Sequence, residues 1–233
     1  AKVSYEGLFN EKLEAQRIVD VIQAECNNNY SLNDVVVLYR TNYQSRLIED
    51  VLRRKSIPYN IVGGVKFYDR KEIKDVLAYL KLINNLKDSV SFLRIFNFPA
   101  RGLGASTVEK ILKKKIDLNK DIFEIIKDSE NLSVGEKQKK EIRDFYKLIN
   151  NLKNLVQTKN AYEIAVELIK QIELEDYYSN QSTADSIDRW ENIQELMNSI
   201  QDYCQSTNKN DLTSFLEEVS LLTDIDKWNS SDA

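Results

Sequence analysis

Apolar positions along this chain recur at helical spacing for most of its length and at strand spacing only twice. Ala15, Ile18, Val19, Ile22 and Cys26 share one helical face behind Asn10, a suitable N-cap, and Asn27-Asn28-Asn29 ends that segment. Asp34 to Tyr39 (DVVVLY) is a short β-branched run that reads as a buried parallel strand, and Ile57 to Val62 (IPYNIV) reads as a second. Between them, residues 43–55 place Leu47, Val51 and Leu52 inward on a helix, so the three segments make a βαβ unit. Two strands do not complete a sheet. After Gly63-Gly64 every segment reads helical: 70–84, with Ile73, Val76, Leu77, Leu80 and Ile83 inward; a short helix at 89–97 before Pro99; and one starting near Ser106. The pattern continues with 136–157, where Ile142, Phe145, Ile149, Leu152 and Val156 face inward, then 160–172, 185–204 and 211–222. The expected fold is mainly α. A helical domain at 63–227 is preceded by a partial α/β (βαβ) piece at 1–62 and followed by a polar, frayed tail at 228–233.

Composition supports this reading and narrows the chemistry. Six glycines and two prolines in 233 residues fall far below the ~12% usual in globular chains, which favours long helices over a sandwich or barrel. Histidine is absent, so Ser-His-Asp and Cys-His catalysis and imidazole-ligated zinc are excluded. Cys26 and Cys204 lie far apart and form no CxxC, as expected of a reduced, cytoplasmic protein with two incidental thiols. No apolar run reaches the ~18 residues of a membrane span. The opening residues mix charge and polarity, so no leader is read there.

The net charge of −4 conceals a strong asymmetry. Residues 1–62 are neutral, 63–150 carry +6 and 151–233 carry −10. A basic middle beside an acidic end fits a surface that faces a polyanion, and equally fits helical faces that merely differ in charge. Lys113-Lys114-Lys115 reads in the same two ways.

Within the basic third, Pro99-Ala100-Arg101-Gly102-Leu103-Gly104-Ala105-Ser106-Thr107-Val108-Glu109 is the most informative local pattern. Two glycines around one apolar residue let the backbone turn tightly and approach a ligand. Ser106 and Glu109 have the spacing of a capping box. A helix N-terminus offers unpaired N–H groups and a positive dipole end to a phosphate, and Arg101 adds a cation. The turn resembles those of helix-hairpin-helix modules, which grip DNA backbone without reading bases. A tight helix–helix turn with an ordinary cap fits the same residues. A second candidate is Arg40-Thr41-Asn42, at the carboxyl end of the first strand, where open α/β sheets bind ligands. A plain loop with Asn42 as helix cap is its alternative. No GxxxxGK[ST] phosphate loop is present. Glu217-Glu218 reads as solvated, and Trp190 and Trp228 read as packing residues.

Several blocks in order resemble one family. Leu38-Tyr39-Arg40-Thr41-Asn42-Tyr43-Gln44-Ser45-Arg46 is similar to the LYRTNAQSR block of the UvrD/PcrA/Rep-type superfamily 1 DNA helicases. Ile57-Pro58-Tyr59, then Gly63 to Asp75 (GGVKFYDRKEIKD), resembles the block that follows in them, and Pro99 to Thr107 resembles their PxRGIG element. Asp188 to Leu196 and Phe215 to Val219 have counterparts as well.

The resemblance implies a fragment of an ATP-dependent 3′→5′ DNA helicase. It would comprise part of the RecA-like domain 2A and the helical domain 2B, and would stop before motifs V and VI. ATP and Mg²⁺ would belong to the parent, whose phosphate loop and metal-binding carboxylates lie in domain 1A, so no cofactor is expected in this chain and the fragment alone is expected to be inactive. Arg40 and Asn42 match residues that contact single-stranded DNA. Arg101, Gly102, Leu103, Gly104 and Thr107 match the element that holds duplex DNA, and Gly63 and Gly64 lie near the 2A–2B hinge. Implied partners are DNA at a single-strand/duplex junction, domains 1A and 1B, the rest of 2A, and repair or replication proteins, with no membrane. Leu103 replaces the family's isoleucine and Tyr43 a common alanine. Ala100 stands where a polar or basic residue is frequent, which removes one phosphate contact. The other class of function open to the sequence is a non-enzymatic, protein-binding or autoinhibitory helical module with little DNA affinity, favoured by the acidic last third.

Overall fold

The computed structural model describes residues 3–62 and 64–231, with side chains as far as Asp224. Helices dominate, and no strand occurs among the described residues. One compact unit takes the chain up to Arg70 and again from Ser220; the other is Lys71–Val219.

In the first unit, α1 (Glu11–Asn27) packs on α2 (Ser45–Arg54). Asn10 caps α1 as its position predicts, accepting from the Leu13 amide at 2.9 Å. Val19, Ile22, Leu52 and Ile57 form the core, with Ile18, Cys26, Val35, Val37, Ile48, Val51 and Tyr59 packed against it. The expected βαβ unit is corrected. Residues 35–39 and 57–62 form no strand ladder. They keep a strand's alternation all the same: Val35 and Val37 turn toward the helices, while Val36 and Leu38 are 77% and 89% exposed. Two short extended segments offer too few partners for a stable sheet.

The polar face of α2 is buried too, which hydrophobic spacing does not anticipate. The Glu49 carboxylate accepts from Ser45 Oγ (2.7 Å), Arg53 Nη2 (2.9 Å), Tyr59 OH (3.0 Å) and the Phe67 amide (3.2 Å). Asp50 accepts from Arg46 (2.9 Å) and Arg53 (2.8 Å), and Arg70 Nη2 donates to Ser45 Oγ at 2.7 Å. Burial pushes the Asp50 carboxyl up, against the downward pull of Arg46 and Arg53.

The second unit is built around α3 (Lys71–Asn84), whose Ile73, Val76, Leu77, Ala78, Tyr79, Leu80, Leu82 and Ile83 are all buried. A helix apolar nearly all round must be enclosed, and α4 (Ser89–Ile95), α7 (Glu136–Leu155) and α10 (Ala184–Ser206) pack on it. Phe92, Phe96 and Phe145 meet edge-to-face or tilted, with ring centroids 4.6–5.9 Å apart. Between α4 and α7 lie α5 (Ala105–Leu118) and the short α6 (Ile122–Lys127). Then come α8 (Ala161–Gln171), the short α9 (Leu174–Ser179), and α11 (Leu212–Ser231) after α10. Periodicity gives no sign of α6 or α9, because six residues span less than two turns. Residues 228–231, expected as tail, continue α11. The Trp228 side chain and residues 232–233 lie outside the described part.

Candidate nucleic-acid interface

The turn between α4 and α5 is assembled by its own polar groups. Asn97 Oδ1 accepts from the amides of Arg101 (2.9 Å) and Leu103 (3.0 Å), which folds the segment into a compact loop. Gly102 has φ +72°, a conformation that a side chain would strain. Gly104, with φ −74° and ψ 179°, is the N-cap of α5. The helix therefore begins at Ala105, and the expected capping box is corrected: Ser106 and Glu109 lie exposed inside α5. Glycine has no side chain with which to cap. The Gly104 carbonyl takes the Thr107 (3.0 Å) and Val108 (3.3 Å) amides, while those of Gly102, Gly104, Ala105 and Ser106 meet no acceptor among the described residues. A Cβ built on Gly102 or Gly104 would meet no heavy atom within 4 Å. The result is a group of exposed residues with unpaired backbone donors at the positive end of a helix of 14 residues.

The side chains around this patch point elsewhere. Arg101 turns inward: Nη1 donates to the carbonyls of Phe98 (2.7 Å), Ile95 (3.2 Å) and Phe96 (3.5 Å), and Nη2 to Tyr79 OH (2.6 Å). Its guanidinium also lies 5.3 Å from the Phe145 ring centroid. Leu103 is 1% exposed and Thr107 5%, so both side chains anchor the turn, and their amides are occupied as well, by Asn97 Oδ1 and the Gly104 carbonyl. Within the lysine run, Lys113 is exposed, while Lys114 donates to the Asn131 carbonyl; Lys110, one turn earlier, donates to that of Ser133.

Tyr79 OH donates in turn to the Phe98 carbonyl. Burial pushes this phenol from 10.0 up to about 12, against the pull of Arg101. A folded-state value above the unfolded one means that the fold favours the neutral phenol. Its contribution is complete below pH 10.0 and is lost as pH rises toward about 12. Unfolding free energies measured along that interval should fall more steeply for the wild-type chain than for Tyr79→Phe, by up to ~3 kcal/mol.

In the other unit, Gln44 Oε1 accepts from the amides of Arg40 (3.0 Å) and Thr41 (3.1 Å). Asn42 opens a 3₁₀ turn, Asn42–Gln44, and does not cap α2, whose N-cap is Gln44. Arg40 and Asn42 are both exposed, and neither side chain has a partner among the described residues. Gly63 lies outside the described residues. Gly64 sits in a stretch whose two ends, Tyr59 and Phe67, both donate to Glu49, and the division between the units falls after Arg70. Sequence reading missed Asn97, Tyr79 and Glu49. Asn97 and Glu49 act through acceptor geometry that leaves no periodic signal, and Tyr79 hides in an apolar stripe. Among the described residues, no group of acidic or sulfur side chains could hold a metal ion, and no helix is long and apolar enough to cross a membrane.

The family described as UvrD-like helicase C-terminal domain matches residues 1–232. ATP-dependent DNA helicase PcrA of Staphylococcus aureus is 36% identical over 233 residues, covering 99% of this chain and 32% of that protein. PcrA of Bacillus subtilis is 36% identical over 232 residues, covering 99% and 31%. PcrA of Staphylococcus epidermidis is 36% identical over 233 residues, covering 99% and 32%. The chain thus spans about a third of the length of these curated relatives.

Proposed function

This chain belongs to the UvrD-like helicase C-terminal domain family, and on that premise we propose that it is the DNA-gripping part of an ATP-dependent 3′→5′ DNA helicase. The observation that carries this reading is the start of α5, which no side chain caps and where the amides of the exposed residues Gly102, Gly104, Ala105 and Ser106 meet no acceptor among the described residues. Phosphates of duplex DNA fit such donors, and amide contacts do not discriminate between bases. The free side chains of Arg40 and Asn42 suit a single strand, supplying one cation and one amide able to bond phosphate or base. Lys71–Val219 would be the helical domain 2B, and the first unit the incomplete domain 2A.

ATP chemistry does not fit the residues present. The sequence holds no GxxxxGK[ST], and we place both nucleotide and Mg²⁺ in domain 1A of the longer protein. The partners of the chain would be domains 1A and 1B and the missing strands of 2A. The bare, strand-like segments with Val36 and Leu38 outward support that assignment. The working compartment would be the cytoplasm, with repair or replication proteins nearby, and Gly63-Gly64 would lie near the joint at which 2B turns.

The test is the purified chain with a labelled, tailed DNA duplex, followed by anisotropy across a salt series. Weak, sequence-independent binding with a shallow salt slope is expected, because few cations meet phosphate, together with no ATP turnover. Absence of duplex binding at low salt would favour the second reading, a protein-binding or autoinhibitory module. The −10 charge of residues 151–233 speaks for that reading, since such a surface repels DNA.

A further inference from the structure

We infer that Arg101 and Asn97 are positioning residues of the DNA-binding turn, and that the turn grips phosphate through backbone amides alone, with no cation of its own in contact. This rests on the backbone-binding reading above. Arg101 is the one cation within the turn, and its donors are already directed at four acceptors: the carbonyls of Ile95, Phe96 and Phe98 and the hydroxyl of Tyr79. To reach a phosphate it would have to leave all of them, and the three carbonyls at the end of α4 would lose their shared donor. Asn97 complements it from the other side. Its single Oδ1 holds the amides of Arg101 and Leu103, the two turn amides that are thereby withdrawn from ligand binding. The amides left over belong to Gly102, Gly104, Ala105 and Ser106. The two side chains thus determine which donors face outward, and the buried Leu103 fixes how far the loop stands from the core.

Arginine suits this task and lysine does not. A planar guanidinium donates in several fixed directions at once, whereas an ammonium on a flexible stem cannot span the carbonyls of residues 95, 96 and 98 and the Tyr79 hydroxyl together. A direct phosphate contact would tolerate lysine, because either charge serves there.

The experiment uses the whole chain with a short fluorescein-labelled duplex of arbitrary sequence, titrated at several salt concentrations. Arg101→Lys is expected to lose about tenfold or more in affinity, as Arg101→Ala does, with the salt slope of both equal to that of the wild type. If Arg101→Lys binds like the wild type while the slope of Arg101→Ala drops by about one, Arg101 touches phosphate and the inference is overturned. Amide hydrogen exchange in the free chain gives a second readout that needs no DNA. Asn97→Ala should speed exchange at the Arg101 and Leu103 amides by about tenfold, and Asn97→Asp, which keeps the acceptor, should restore protection. Unchanged exchange in Asn97→Ala overturns the role of Asn97. If the wild-type chain binds no duplex at all, the backbone-binding reading falls and takes this inference with it. Binding that survives in Arg101→Lys removes the inference alone.

Discussion

Replacing Gly104 by aspartate is expected to abolish measurable duplex binding while leaving the fold as stable as before or slightly more so. Gly104 has ordinary, negative φ, and a Cβ there meets open space, so the substitution brings no steric cost. Aspartate is also a better N-cap than glycine. Its carboxylate can accept from the first-turn amides of α5 and lies at the positive end of the helix, an advantage of a few tenths of a kcal/mol. The same carboxylate occupies the place proposed for phosphate and consumes its donors. At ~5 Å from a phosphate, in a medium of effective dielectric near 20, like charges repel by ~3 kcal/mol, or about a hundredfold in affinity. Gly102→Ala is the informative contrast. At φ +72° it costs ~1 kcal/mol of stability, with an indirect effect on binding. Thermal unfolding and anisotropy on the two variants should therefore move in opposite order. Gly104→Asp protein with lowered stability and unchanged duplex affinity would refute the placement of phosphate at this turn.

The contrast also shows what could be read from the sequence. The GxG pattern in a basic region points correctly to a tight turn before a helix, because glycine spacing reports backbone geometry directly. The same pattern misplaces the cap. Ser106 and Glu109 have capping-box spacing, but the fold begins α5 at Ala105 with Gly104 extended, so local propensity yields to the way Leu103 and Thr107 are pulled into the core. Arg101 is conspicuous in the sequence as a cation beside glycines. Only the fold reveals that the carbonyls of Ile95, Phe96 and Phe98 and the Tyr79 hydroxyl take its donors. The helices from α3 onward were legible wherever three or more turns repeat an apolar stripe. Asp34 to Tyr39 was legible as an extended segment and not as a strand, since pairing depends on partners that a local pattern does not contain. Ser45, Arg46, Glu49, Asp50 and Arg53 on α2 were not legible at all. Charged residues on one helical face normally signal solvent, and in α2 they pair with one another and with Tyr59, Phe67 and Arg70.

That buried network leads to the second large expectation, a loss of ~3–5 kcal/mol in the first unit on Glu49→Ala. The Glu49 side chain is 2% exposed and holds four donors, from Ser45, Arg53, Tyr59 and Phe67, with Arg70 at 3.9 Å. Removing it takes away one of the two carboxylates that face Arg53, in a place water does not reach, and removes the acceptor of the Phe67 amide and one acceptor of Tyr59 at the same time. Any favourable replacement would have to fill that space and satisfy those donors together, which alanine cannot do. Glu49→Gln keeps the volume and one acceptor oxygen and should lose roughly half as much, the charge-assisted share of the bonds. Because the network lies within the first unit, the loss should be local. In urea, exchange protection in α1 and α2 should collapse at a lower midpoint, while amides of α3 and α7 keep theirs. Equal destabilisation of both regions would mean that the chain unfolds as one cooperative body, and the assignment of this network to one unit's stability would fail. Segment 57–70 lies between Arg40-Asn42 and Lys71 in sequence, and Glu49 pins it at Tyr59 and Phe67. If the first unit does contact a single strand, Glu49→Ala should therefore weaken single-strand binding without touching the duplex turn of the second.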